Sequence, residues 1–136
     1  LKNNIFVLLG DGEMQEGQVW ESIMTASHFK LDNIVAIIDK NNLQTDSPVK
    51  SVKNSGNLTD QFKSFGWEVY YINGHDYLQL IQALDLTNNT NGKPKAIIAE
   101  TCKGKGVTFM ENNPKFHGTV IEKNDHQNAI EELTRI

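Results

Sequence analysis

An α/β domain on a mostly parallel sheet with flanking helices is the fold class this sequence predicts. Three observations predict it. Four short apolar segments, at residues 5–9, 34–38, 68–72 and 96–99, start 29, 34 and 28 residues apart, and one βαβ unit takes about 30 residues. The first two are continuous apolar runs without alternation, the pattern of parallel strands buried on both faces. Helix-periodic stretches lie between the runs.

In chain order, residues 5–9 read as the first strand. Val19, Trp20, Ile23 and Met24 then fall on one face of a helix over roughly 16–28. Residues 34–38 read as the second strand. Residues 39–56 follow as a long loop, with Ser-Pro and Asn-Ser-Gly turn signals. A helix is expected over 57–65, ended by Gly66. The strand at 68–72 leads through Gly74-His75-Asp76 into a helix with Tyr77, Leu80, Ile81 and Leu84 on one face. Residues 88–92 read as a surface turn, and 96–99 as the fourth strand. Residues 103–123 form a second long loop containing Phe116-His117-Gly118, and Ala129, Ile130 and Leu133 mark a final short helix. Long loops in a compact domain are usually functional or disordered. No interdomain linker interrupts the βα rhythm, so residues 1–136 read as one domain.

Composition narrows the classes. The net charge of −4 argues against a general nucleic-acid binder. The longest apolar runs are five residues, where a membrane helix needs about 18. The single cysteine excludes an internal disulfide, and no apolar signal segment opens the chain. The expected setting is cytoplasmic. The chain begins Leu-Lys-Asn-Asn rather than Met and reaches its first strand by residue 5, so we expect an incomplete domain whose front is missing.

Gly10-Asp11-Gly12 follows the first strand directly. In open α/β sheets ligands bind beyond the carboxyl ends of strands, so Asp11 is expected to project into a crevice. The flanking glycines suit a sharp turn and close approach to a ligand. Taken alone, the tripeptide reads more readily as an ordinary strand-to-helix turn. Asp39-Lys40-Asn41-Asn42-Leu43 follows the second strand, and parallel strands bring both ends to the same side. One carboxylate and one amide oxygen there suit a hard cation such as Mg²⁺, which usually keeps phosphate oxygens among its ligands. Asp11, Asn41 and a backbone carbonyl of the following loop would leave positions for two diphosphate oxygens and a water.

Gly10-Asp11-Gly12, then 28 residues, then Asn41-Asn42 resembles the thiamine-diphosphate motif. The longer strings GDGEMQEGQVWE and HFKLDNIVAIIDKNNLQTD are similar to transketolase. FGWEVYYINGHD, KPKAIIAETCKGKGVTFMENN and KFHG resemble that family's next segments in the same order, up to about Gly118. The resemblance is to the separate N-terminal subunit of the split bacterial and archaeal type.

The resemblance implies a thiamine-diphosphate-binding domain with Asp11, Asn41 and the Leu43 carbonyl on Mg²⁺ (or Ca²⁺). It implies Gly12 and Asn41 on the diphosphate, and a cationic contact from Lys103. His117 would reach both the diphosphate and the sugar substrate, where imidazole can donate a hydrogen bond or pass a proton. Glu16 matches a family glutamate at the dimer interface that links two cofactor sites. Without the resemblance, Lys103 and Lys105 read as a solvated turn, His117 as a surface histidine and Glu16 as an acid in a helix first turn, as Glu13 does. His28, His75 and His126 have no partner that the sequence identifies. Cys102 reads as a buried strand-end residue.

The implied activity is transfer of a two-carbon ketol unit between sugar phosphates. The implied partner is a C-terminal subunit carrying the pyrimidine-binding domain, in a homodimer or heterotetramer. Alternatives are another thiamine-diphosphate enzyme (deoxyxylulose-phosphate synthase or a 2-oxo-acid dehydrogenase subunit) or a non-catalytic truncated remnant. Gln18-Val19-Trp20-Glu21 and residues 28–33 favour transketolase over the other enzymes. Three departures stand out. Ser47 occupies a place where glycine is frequent, Thr119-Val120-Ile121 replaces the usual continuation after His117-Gly118, and the family's upstream histidines have no counterpart. The glutamate that activates the aminopyrimidine comes in this family from a different domain.

Overall fold

The run Ile5–Gly10 forms β1, and Ile34–Lys40 forms β2 parallel to it, with Ile5 opposite Ile34 and Gly10 opposite Asp39. The computed structural model describes residues 3–135; Leu1, Lys2 and Ile136 lie outside the described residues. Between the two strands, a 3-10 turn at Glu13–Gln15 leads into helix α1, Gly17–His28. The expected loop after β2 is more structured than its composition suggests. It holds a two-residue antiparallel pair, β3 (Leu43–Gln44) with β4 (Ser47–Pro48), and a single turn of helix, α2 (Val49–Val52).

Helix α3, Leu58–Ser64, is capped by the Asn57 side chain, which accepts from the Thr59 N–H, and it ends before Gly66 as expected. Strand β5, Glu68–Asn73, runs into helix α4, Tyr77–Leu86. The Asp76 carboxylate caps α4 by accepting from the N–H groups of Leu78 and Gln79, a preferred use of aspartate at this position. Strand β6, Lys95–Glu100, is followed by a loop containing a 3-10 turn at Pro114–Phe116, then helix α5, Lys123–Thr134. Helix α5 is longer than the three apolar positions implied. Glu132 ties it back by accepting from the N–H and hydroxyl of Thr108.

Among the described residues the main sheet has the order β1-β2-β6-β5, with every pair parallel. Helices α1 and α3 cover one face. There Ile23, Ala26 and Phe62 pack with Ala36, Ile38, Ala96 and Ile98. Trp67 joins that layer and donates its indole N–H to the Ile23 carbonyl at 3.0 Å. Helix α4 covers the other face, with Ala83 against Val35, Ile97 and Ala99. Phe62 is fully buried, and a Phe→Ala change at such a site costs about 3–5 kcal/mol.

One expectation is corrected by topology. Strand β2 is internal, with every residue buried or half-buried, but among the described residues β1 lies at the edge of the sheet, and Phe6 and Leu8 are 51% and 71% exposed. An apolar run without alternation therefore does not distinguish a covered strand from an uncovered one. Among the described residues no helix is long and apolar enough to cross a membrane.

Candidate functional site

The parallel sheet brings the carboxyl ends of β1, β2 and β6 to one edge, as the motif spacing predicts. Asp11 leaves β1 with its N–H on the Asp39 carbonyl at 3.1 Å. Its side chain is only 4% exposed. Oδ2 accepts from the Asn42 N–H at 2.7 Å, while Oδ1 is buried without a partner. Burial pushes this carboxyl above the usual aspartate range, the Asp39 carboxylate adds to the rise, and the Asn42 N–H opposes it. Asn42 presents that N–H from the left-handed region, at φ 62°, which asparagine tolerates better than most residues. Gly12 has an ordinary helical conformation. Its glycine requirement is steric, since an added Cβ would lie 2.7 Å from the Gln44 Cβ.

Side chains alternate across β2 and so divide the edge into two clefts. A cleft of about 490 Å³ on the α1/α3 side includes Asp11, Lys40, Asn42 and Tyr71. Lys40 reaches Glu100 at 3.4 Å, and the Tyr71 hydroxyl donates to Glu100 at 2.7 Å. That hydroxyl, then Lys40, hold the Glu100 carboxyl below the usual glutamate range. A cleft of about 620 Å³ on the α4 side includes Asp39, Asn41, His75, Thr101 and Lys103. In it Asn41 donates its amide N–H to Asp39 at 3.1 Å and accepts from the Leu43 N–H at 2.9 Å. The Thr101 hydroxyl donates to the other Asp39 oxygen. Asp11 and Asn41 thus stand at adjacent strand ends, yet line different clefts.

Lys103 is half-buried, and its carbonyl accepts from the Asn112 N–H at 2.9 Å. Lys105 is exposed and pairs with Glu111 at 3.4 Å. His117 is exposed, donates its backbone N–H to the Pro114 carbonyl at 2.9 Å, and lines neither cleft. Glu16 is exposed and stands one position before α1 rather than inside it, with no capping hydrogen bond from its side chain. Glu13 lies in the 3-10 turn ahead of α1, whose own first turn holds no acid, and its carboxylate accepts from the Gly10 N–H at 2.7 Å. Among the described residues no three His, Cys, Asp or Glu side chains converge as a metal cluster.

Four readings from sequence need correction or completion. His75 does have a partner: its Nε2 accepts from the Cys102 N–H at 2.7 Å. Cys102 is half-buried, not buried. Asp39 and Thr101 form the floor of the Asn41 cleft, although the sequence motif nominates only Asn41 and Leu43 of that pentapeptide for chemistry. The strand-end rule that nominates Asp11 and Asn41, applied equally to β5 and β6, would nominate His75 and Thr101 as well.

A parallel α/β domain that gathers a buried carboxylate, an amide and a lysine at the carboxyl edge of its sheet defines a class of ligand-binding domain. The chain belongs to the transketolase family, whose thiamine diphosphate binding domain matches residues 1–134. It is 38% identical over 129 residues to an apulose-4-phosphate transketolase subunit of Phocaeicola vulgatus, covering 95% of this chain and 46% of that protein. It is 34% identical over 135 residues to 6-deoxy-6-sulfo-D-fructose transketolase subunit SqwG of a Clostridium species, covering 99% and 49%. The crystal structure of transketolase from Campylobacter jejuni superimposes with a TM-score of 0.89 at 35% identity, covering 97% of this chain and 21% of that one. The chain spans about half the length of the curated subunit relatives it matches.

Proposed function

We propose that this chain supplies the diphosphate- and metal-binding part of a transketolase that transfers a two-carbon ketol unit between sugar phosphates. The observation that carries the reading is the Asp11 carboxylate, buried at the carboxyl edge with one oxygen unpartnered. A buried ionised oxygen is costly unless it meets a cation or a donor. Carboxylate, amide and carbonyl oxygens are the ligand type of a hard ion such as Mg²⁺, or Ca²⁺, and an ion shared by Asp11 and Asn41 would lie between the two clefts that they line. Asp11 would supply Oδ1. Asn41 would supply the lone pair of Oδ1 not used by the Leu43 N–H. Leu43 would supply its carbonyl.

When bound, thiamine diphosphate supplies the carbanion chemistry, and the protein positions and polarises it. Gly12 and Asn41 would meet the diphosphate, and Lys103 would add positive charge on the α4 side. His117 would donate a hydrogen bond and move a proton at the sugar. Glu16, exposed beside α1, would meet a second copy across an interface. The relatives named as transketolase subunits support a partner subunit; it would carry the pyrimidine-binding domain, in a homodimer or heterotetramer. They also favour transketolase over deoxyxylulose-phosphate synthase and 2-oxo-acid dehydrogenase. We place the protein in the cytoplasm, since one cysteine and short apolar runs suit a reducing aqueous compartment.

The test is titration calorimetry of Mg-thiamine diphosphate into the chain assembled with its complementary subunit. The unaltered assembly should bind, and Asp11→Ala should abolish binding with circular dichroism unchanged. Equal affinity of the two would remove Asp11 from the site. Absence of binding by the unaltered assembly would favour a non-catalytic remnant. His117→Ala should lower kcat by about 10²–10⁴ and weaken cofactor binding far less, by about one hydrogen bond.

A further inference from the structure

The β5–β6 ladder ends at the pair Asn73 and Glu100, where β6 also ends, and the chain runs on toward Lys103. After that pair the Gly74 N–H donates to the Glu100 carbonyl at 2.8 Å, and β5 turns away into α4. The close approach needs glycine, because a Cβ at position 74 would lie 2.5 Å from the Thr101 Cγ2. On the other side, the Thr101 N–H donates to the Lys40 carbonyl at 3.2 Å. The Cys102 N–H is the next donor facing β5, where no strand remains. His75 Nε2 accepts it at 2.7 Å. A side chain thus extends the ladder by one bond, immediately before Lys103. The Asn112 N–H holds the Lys103 carbonyl from the far side.

We propose that His75 is a positioning residue that fixes the Cys102–Lys103 backbone and so aims Lys103 into the α4-side cleft, toward the diphosphate of the cofactor. The inference rests on the proposed function and adds to it a residue for which the sequence identified no partner. An imidazole that accepts through Nε2 carries its proton on Nδ1 when neutral. His75 therefore acts as an acceptor, and its contribution to the ligand passes through Lys103.

The experiment uses three substitutions, each in the chain assembled with its complementary subunit. His75→Ala removes the acceptor, His75→Phe keeps a ring without an acceptor, and His75→Gln keeps a reachable acceptor. Three quantities are read: the dissociation constant for Mg-thiamine diphosphate, hydrogen–deuterium exchange of the segment carrying the Cys102 amide, and the thermal midpoint. His75→Ala and His75→Phe should weaken binding about three- to tenfold, the scale of one hydrogen bond, and speed that exchange. His75→Gln should stay within about twofold of the unaltered protein. In a Lys103→Ala background, His75→Ala should have no further effect on binding, since residues acting through one contact are not additive. Equal loss in the Ala and Gln variants, or an undiminished His75→Ala effect without Lys103, would overturn the proposal. Normal binding in every His75 variant sinks this inference alone. No binding by the unaltered assembly sinks the functional reading and this inference together.

Discussion

The Asp11 carboxylate has one oxygen on the Asn42 N–H and the other buried without a partner. With no cation bound, that arrangement destabilises the fold, and the nearby Asp39 carboxylate adds to the cost. Asp11→Asn keeps an acceptor for Asn42 and removes the charge. It should stabilise the ligand-free chain at neutral pH by about 1 kcal/mol and abolish Mg²⁺-dependent cofactor binding. Urea unfolding beside calorimetry checks both halves, and a less stable Asn variant would show that the carboxylate has a partner after all. Lys95 is the converse case, a lysine with no exposed surface. Its ammonium donates to the Asp32 carbonyl at 2.5 Å and also to the Asn89 carbonyl, joining two loops at the opposite end of the sheet. Lys95→Met leaves both carbonyls without that donor and should cost about 2 kcal/mol, read as a lower urea midpoint. Neither burial is legible from residue type, because lysine and aspartate are ordinarily exposed.

On strand β5 the alternation that puts Tyr70 and Glu68 on the same face lets the Tyr70 hydroxyl donate to Glu68 at 2.6 Å. Burial first, then that hydrogen bond, push the Tyr70 phenol up from 10.0 to about 12. The hydroxyl in turn holds Glu68 below the usual glutamate range, with Asn91 helping. The unfolded chain releases the phenolic proton near pH 10, whereas the folded chain keeps it. This contribution to stability is therefore complete below pH 10 and is lost as pH rises through about 12. Tyr70→Phe should lose less stability than the unaltered chain across that window, measured by urea unfolding at several pH values. Parallel loss in both proteins would refute the assignment. The strands and helices themselves were largely legible, since apolar runs, helical periodicity and the Asn57 and Asp76 caps are local signals. The β3–β4 pair and α2 were not, because the segment at 39–56 has little apolar content and is held by contacts such as the Val49 N–H on the Asn42 carbonyl at 3.0 Å.

For the molecule as a whole, the edge position of β1 matters most. Its exposed Phe6 and Leu8 form an uncovered apolar surface, and an open edge strand is a template for further pairing. The chain also spans about half of its subunit relatives, and the family resemblance implies that the residue activating the cofactor's aminopyrimidine comes from a different domain. The purified 136-residue chain by itself should therefore show no ketol transfer. A coupled assay of transfer between two sugar phosphates decides the matter, and measurable turnover by the chain alone would contradict it.

The order of strands and helices, the strand-end placement of Asp11 and Asn41 and the family itself were determined by the sequence, because each is written in local pattern or in motif spacing. Three further features were decided only by the tertiary structure. Strand order made β1 an edge, although its apolar run resembles that of β2. The pleat of β2 sent Asp39 and Asn41 to one cleft and Lys40 to the other. The end of β5 beside β6 gave His75 the Cys102 N–H as a partner 27 residues away. Each depends on which strand lies beside which, and neighbours in a parallel sheet are set by crossovers that no single segment encodes.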